Sequence, residues 1–313
     1  MVQGVLQTRT TAFSRLMAAE HPVLLDGGLA TELEAQGLDI GNPLWSAALL
    51  QHDPEAIVKA HCAYIRAGSH CIETASYQAS HEGFVANGLS VPQAERLMRR
   101  SIELAKRARD ECRADVAIAA SLGPYGAMRH DGSEYHGNYG VDDAALRDFH
   151  RKRLVLFDTP DVDVVAFETI PSMPEARVLE ALLRDCKTPA WISFSCRDEQ
   201  HICDGTPLAE AAALFRRHPV IAAIGINCTP PQFVPALIRV LRTVVPDKAI
   251  IAYPNSGETY HASNNRWTGT VTPGDCASAA EEWIRAGAKM VGGCCRMGPS
   301  HISAMGAMLS RMR

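Results

Sequence analysis

A chain of 313 residues with 47% hydrophobic and 21% charged residues has the make-up of an ordinary globular protein, with room for one large α/β domain. A formal net charge of −4 without any Lys/Arg block excludes a surface that tracks nucleic acid, and no run approaches the ~20 apolar residues of a membrane span. Ten cysteines are too sparse in so long a chain for a disulfide scaffold, so a reducing, cytoplasmic location and small-molecule partners are expected.

Met1 to Ala19 carries Arg9, Arg15 and several Ser and Thr but no acid, a faint likeness to a transit peptide. Thr11 to Glu20 reads equally well as a short helix closing the bottom of a barrel. Apolar, often β-branched runs then recur at Val23 to Asp26, His70 to Thr74, Val116 to Ser121, Val162 to Glu168, Ala190 to Ser195, Ile221 to Asn227, Ala249 to Tyr253 and Lys289 to Gly293. Each is followed by turn residues and a helical pattern, the alternation of a parallel sheet. Asp53-Pro54-Glu55 and Thr272-Pro273-Gly274-Asp275 open helices, and Gly68 and Gly287 stop them. The two exits echo each other, Tyr64-Ile65-Arg66-Ala67-Gly68 and Trp283-Ile284-Arg285-Ala286-Gly287. No low-complexity linker divides residues 1–313, so one (β/α)8 TIM-barrel domain is expected. An open doubly wound sheet is the weaker alternative, because the Gly-x-Gly-x-x-Gly phosphate fingerprint is absent. Gly123 to Tyr139, poorly patterned and after the third strand, belongs at the C-terminal rim, where barrel active sites lie.

The strand ends carry unusual residues. Acids finish three apolar runs, at Asp26, Glu73 and Glu168, and a buried acid is costly unless paired. A substrate ammonium is one partner; for Glu73 a helix cap or an arginine pair explains the residue as well. Gly27-Gly28 forms a tight turn or offers bare N–H groups to an anion, so acid and glycine turn together would hold an amino acid. Gly292-Gly293-Cys294-Cys295 places neighbouring thiols where a strand would send them to opposite faces, and the glycine pair supplies the unusual φ/ψ that brings them together. With Cys228 at the end of another strand, three thiolates converge on one rim, a Zn²⁺ site with one open position. Ordinary buried thiols or a redox pair are the competing explanations. Cys62, Cys71, Cys112, Cys186 and Cys276 read as packing. Cys196 and Cys203 are bystanders near the rim, and His130, His136, His201 and His261 are loop residues on the same side.

Taken together, Asp26-Gly27-Gly28, Glu73-Thr74-Ala75-Ser76-Tyr77-Gln78, Gly123-Pro124-Tyr125-Gly126, Phe167-Glu168-Thr169, Gly225-Ile226-Asn227-Cys228, Tyr253-Pro254-Asn255-Ser256-Gly257-Glu258 and Gly292-Gly293-Cys294-Cys295-Arg296 resemble the zinc-dependent homocysteine S-methyltransferase family. The likeness runs from about Val23 to Ile302. It is greatest to the short enzymes that use S-methylmethionine, at Asn42-Pro43-Leu44-Trp45-Ser46, Ala75-Ser76-Tyr77-Gln78-Ala79 and Asp131-Gly132-Ser133-Glu134-Tyr135.

The resemblance implies one Zn²⁺ bound by Cys228, Cys294 and Cys295, with the homocysteine sulfur as fourth ligand. It implies Asp26 and Glu168 at the homocysteine ammonium, Gly27 and Gly28 at its carboxylate, and Thr74 and Asn227 nearby. Methionine would be the product. The leaving group of a sulfonium donor is a neutral thioether, so no general acid is expected. Tyr77, Trp45 and Tyr125 are available as aromatic faces for the sulfonium. Betaine is an alternative donor; a zinc hydrolase or a zinc or redox sensor is a more distant alternative.

Overall fold

A computed structural model describes residues 10–39, 41, 44–261, 266–268 and 271–312. Asn42, Pro43, the first nine residues, and the side chains of Trp45 and His261 lie outside what it describes. The eight apolar runs form β1 (Val23–Leu24), β2 (Cys71–Glu73), β3 (Ala117–Leu122), β4 (Val164–Ile170), β5 (Ala190–Phe194), β6 (Ile221–Asn227), β7 (Ala249–Tyr253) and, after a hairpin of β8 (Thr259–His261) with β9 (Arg266–Thr268), β10 (Met290–Val291). The hairpin moves His261 from the expected loop into a strand.

In the main sheet every pair is parallel, in the order β1-β10-β7-β6-β5-β4-β3-β2. A parallel bridge from Leu25 to Cys71, with the His70 N–H donating to Leu24 O at 2.7 Å, joins the two ends and closes the ring. Helices between the strands complete the (β/α)8 barrel. The helices Pro54–Arg66 and Pro273–Ala286 open on caps at Asp53 and Thr272. Both are followed by a left-handed glycine, Gly68 at φ +102° and Gly287 at φ +116°, a conformation that costs a side chain dearly. None of the described helices is long and apolar enough to cross a membrane.

Side-chain alternation splits the strands into two packing layers. Outward residues such as Ile72, Ile118, Phe167, Ile192 and Ile224 join the helices in the main core. Inward residues form a separate cluster inside the ring, including Val23, Cys71, Ala117, Val164, Trp191 and Ile251. Phe13 of the helix Ala12–Ala18 belongs to this inner cluster, its ring 6.1 Å from that of Trp191. The helix lies at the strands' N-terminal end, where the Ala12 N–H donates to Asp163 at 3.2 Å. Two residues further along five of the strands the inward side chain turns polar: Glu73 follows Cys71, Ser121 follows Ala119, Glu168 follows Ala166, Ser193 follows Trp191, and Asn227 follows Gly225. The barrel is thus apolar inside at its floor and polar at its C-terminal rim.

Candidate active site

The three thiols meet at that rim. Their sulfurs lie within 4.8 Å of one another, Cys228 and Cys295 at 3.5 Å. Three sulfurs about 2.3 Å from one tetrahedral zinc would stand about 3.8 Å apart, so the set fits that ion with little adjustment. Among the described residues this is the only His/Cys/Asp/Glu group with ligand-like spacing. Backbone bonds fix each thiol: the Cys228 N–H donates to Tyr253 O at 3.3 Å, the Cys294 N–H to Pro254 O at 2.8 Å, and Cys295 O accepts from the Ser256 N–H at 3.1 Å. Hydrogen bonding with Cys228 and Cys294 holds the Cys295 thiol well below its usual range.

The glycine pair works differently from the sequence expectation. Neither Gly292 nor Gly293 takes a positive φ; the left-handed residues around the thiols and acids are Thr169 at +60°, Cys228 at +46° and Arg296 at +66°. That conformation costs an L-residue about 1 kcal/mol or more, sustained here by surrounding bonds such as Arg296 Nε to Glu258 at 2.8 Å. The glycines serve close approach instead. A Cβ at Gly292 would stand 2.6 Å from Leu25 Cβ, and one at Gly293 would stand 2.5 Å from Met297 Cβ.

Across the ring, Asp26 and Glu168 are each only 4% exposed, and Glu73 comes up beside them. Asp26 accepts the Glu73 N–H at 2.9 Å, and Glu168 accepts the Ser121 hydroxyl. Burial, with the neighbouring acids adding to it, pushes the Asp26 and Glu73 carboxyls well up; burial pushes Glu168 up to about 7. Glu73 Oε1 is buried and has no hydrogen-bond partner. An arginine or cap partner for Glu73, the bland explanation of that residue, is therefore not what the structure provides. Three carboxyls around one point make a receptor for a cation with several N–H donors.

All the expected site residues except Asn227 line one cavity of ≈ 170 Å³. Asn227 is fully buried behind it, and both ends of its amide are engaged. Its oxygen accepts from the Thr169 N–H at 2.7 Å and Ser193 Oγ at 2.8 Å, and its nitrogen donates to Thr169 Oγ1 at 2.7 Å, with Cys294 Sγ at 4.0 Å. Within the described residues the Asn227 amide is thus engaged at both its oxygen and its nitrogen. Gly28 changes role. Its N–H donates to Met297 O at 3.0 Å and its carbonyl accepts from Tyr64 Oη at 2.8 Å, so it offers an anion no donor. Thr74 Oγ1 accepts the Ser121 N–H at 3.1 Å and sits 2.6 Å from Ser76 Oγ, facing the cavity at the foot of the acids.

Tyr77 faces the cavity, whereas the Tyr125 ring packs at 5.4 Å on Tyr139 and 5.1 Å on Phe149 and has a packing role. Cys203 bonds Ser195 Oγ at 3.3 Å, and His201 Nδ1 lies 3.0 Å from Asp198, so neither joins the thiols. Ser121, Tyr253, Glu134 and Tyr135 are among the lining residues to which the sequence assigned no role, the last with its hydroxyl 3.7 Å from Cys228 Sγ. Strand alternation from Ala119 and Ile251 could have found the first two. Glu134 and Tyr135 belong to the family-like stretch 131–135, which does not reveal which of its side chains reach the cavity.

Comparison with known proteins agrees with this geometry. The family pattern described as homocysteine S-methyltransferase matches residues 23–309. Homocysteine S-methyltransferase YbgG of Bacillus subtilis is 45% identical over 295 residues, covering 91% of this chain and 93% of its own. Selenocysteine Se-methyltransferase of Brassica oleracea var. italica is 40% identical, with 90% and 87% covered. The crystal structure of the homocysteine methyltransferase MmuM from Escherichia coli in its metallated form superposes with a TM-score of 0.84 at 38% identity, covering 95% of this chain and 99% of that one. With the barrel, the thiol cluster and these relatives in agreement, the chain belongs to the homocysteine S-methyltransferase family and is a methyltransferase acting on homocysteine.

Proposed function

We propose that this enzyme takes the methyl group of a sulfonium, S-methylmethionine first and S-adenosylmethionine second, and places it on homocysteine to give methionine. The observation that carries the reading is the pairing, in one cavity, of three converging thiols with the buried carboxyls of Asp26 and Glu168 and the half-buried one of Glu73. A zinc ion held by Cys228, Cys294 and Cys295 would keep the acceptor sulfur ionised at neutral pH, where a free thiol of pKa ~8.5 is only a few per cent thiolate.

The chain's own residues do the rest by binding and alignment. Asp26, Glu73 and Glu168 take the homocysteine ammonium, whose three N–H donors match three acceptors. The Gly27 turn and the opening of the helix Leu29–Ala35 lie where the carboxylate would fall, with the donor coming from Gly27 and not Gly28. Thr74 completes that wall. Tyr77 presents an aromatic face toward the donor's positive sulfur. The methyl leaves with neither of its former bonding electrons, which remain on a neutral thioether, so no side chain needs to deliver a proton. A dry cavity favours the meeting of a cationic donor with an anionic sulfur.

The test is methionine formation by reduced, metal-loaded protein from homocysteine with S-methylmethionine, S-adenosylmethionine or betaine in parallel. Turnover with the sulfoniums and little with betaine is expected; no methionine from either sulfonium sinks the proposal. Metal content should fall from one ion per chain to near none in Cys294→Ala, with turnover down on the order of 10³-fold or more.

A further inference from the structure

Two acceptors in the cavity are left over once homocysteine is placed. Glu134, in the turn Ser133–Tyr135, is 7% exposed and faces the cavity, yet its Oε2 has no hydrogen-bond partner. Gln78 is 6% exposed and lines the same cavity; its Nε2 donates to Ala127 O at 3.2 Å, and its Oε1 is buried without a donor. The short helix Tyr125–Arg129 buttresses both, through that bond and through Gly126, where a Cβ would come within 2.4 Å of the Glu134 backbone nitrogen. The charges nearest Glu134, Asp131 and Cys295, are negative, and burial pushes its carboxyl up to about 7. A buried carboxylate oxygen and a buried amide oxygen on two residues of one cavity wall, neither with a donor, are expensive unless a ligand supplies N–H groups.

We infer that Glu134 and Gln78 form a second amino-acid subsite, which binds the α-ammonium of the methyl donor and selects sulfoniums that carry one. The inference rests on the sulfonium reading above. A sulfonium has no hydrogen-bond donor of its own, and betaine's quaternary nitrogen has none either, so neither satisfies an orphaned acceptor. S-methylmethionine and S-adenosylmethionine both do. The acids Asp26, Glu73 and Glu168 then read the acceptor amino acid and the Glu134–Gln78 pair reads the donor.

The experiment compares wild type and Glu134→Gln, both metal-loaded, with S-methylmethionine and with dimethylsulfoniopropionate, a sulfonium with no N–H. Isothermal titration of each sulfonium accompanies the kinetics, so that binding is read apart from turnover. For Glu134→Gln, KM and Kd for S-methylmethionine should rise at least about tenfold. The homocysteine KM, the metal content and the Kd for dimethylsulfoniopropionate should stay within about twofold of wild type, and the melting temperature should not fall, as suits an isosteric swap at an atom without a partner. An unchanged KM for S-methylmethionine overturns the subsite while leaving the sulfonium reading intact. Equal losses for both sulfoniums would overturn the ammonium assignment, and a matching rise in the homocysteine KM would move Glu134 to the acceptor side. A wild type that turns over no sulfonium removes the sulfonium reading and this inference with it.

Discussion

The floor and the rim of the barrel are made by the same eight strands, about two inward residues apart, and their interiors follow opposite rules. At the floor the inward side chains are Val23, Ala117, Val164, Trp191 and Met290, capped by Phe13, all within 1% of complete burial. At the rim they are Glu73, Ser121, Glu168, Ser193 and Asn227, with three thiols and the left-handed backbone of Thr169, Cys228 and Arg296 alongside. The floor is satisfied as it stands: its packing is apolar and complementary. The rim holds raised carboxyls, orphaned acceptors and backbone strain, each of which costs stability and none of which would survive as packing. The same fold thus separates the part that holds the ring together from the part that binds, and changes at the two ends should have opposite signatures.

The largest expected effect is at the floor. Phe13→Ala removes the side chain that plugs the ring against Trp191 and should cost about 3 kcal/mol of stability. Denaturant unfolding should show the loss, while kcat and both KM values measured well below the transition stay those of wild type. A changed homocysteine KM in that variant would break the separation, since Phe13 does not line the cavity.

The rim should give the reverse result. Glu168 has a folded-state carboxyl near 7 against an ordinary 4.5, so between those values the folded protein holds a proton that the unfolded chain has released. Stability of the substrate-free enzyme therefore falls as pH rises through that window and levels off above it. Glu168→Gln removes the ionisable group and should flatten this fall by about 1–2 kcal/mol between about pH 5 and pH 7, followed as melting temperature. Asp26, Glu73 and Glu134 shift in the same direction, so part of the slope remains. The same variant should raise the homocysteine KM about tenfold, the worth of one charge-assisted contact. A variant that lost stability near neutral pH would mean that Glu168 is structural.

How much of this was legible in the sequence divides along the same line. All eight strands could be read from apolar runs because burial on both faces writes itself as continuous hydrophobicity. The thiol cluster could be read because cysteines at strand ends have no packing reason to be there. What could not be read depends on which atoms are already taken. Nothing local reveals that the Gly28 N–H is spent on Met297 or that both ends of the Asn227 amide are engaged inside the rim. The glycines of Gly292-Gly293 are legible as glycines, but whether they serve φ or proximity depends on Leu25 and Met297, far away in the chain. Glu134 sits in a polar, turn-like segment that could be placed at the rim, but only the fold decides that its side chain is one of those that line the cavity. Tyr125 and Tyr77 look alike at strand ends; the neighbours Tyr139 and Phe149 decide between them.

The smallest effect makes the sharpest control, because it comes from the same helix as the largest. Arg15 lies two residues from Phe13 and pairs with Asp115 at 2.7 Å, but the two side chains are 49% and 79% exposed. Water and salt screen such a pair, and ordering two long side chains offsets much of its attraction, so Arg15→Ala should cost less than about 1 kcal/mol. If the floor is held by apolar burial, Phe13→Ala and Arg15→Ala should differ severalfold in unfolding free energy, and added salt should leave the larger effect unchanged. Comparable losses would mean that the helix is held by charge, and the sequence contrast between an apolar floor and a polar rim would then describe composition without describing what carries the load.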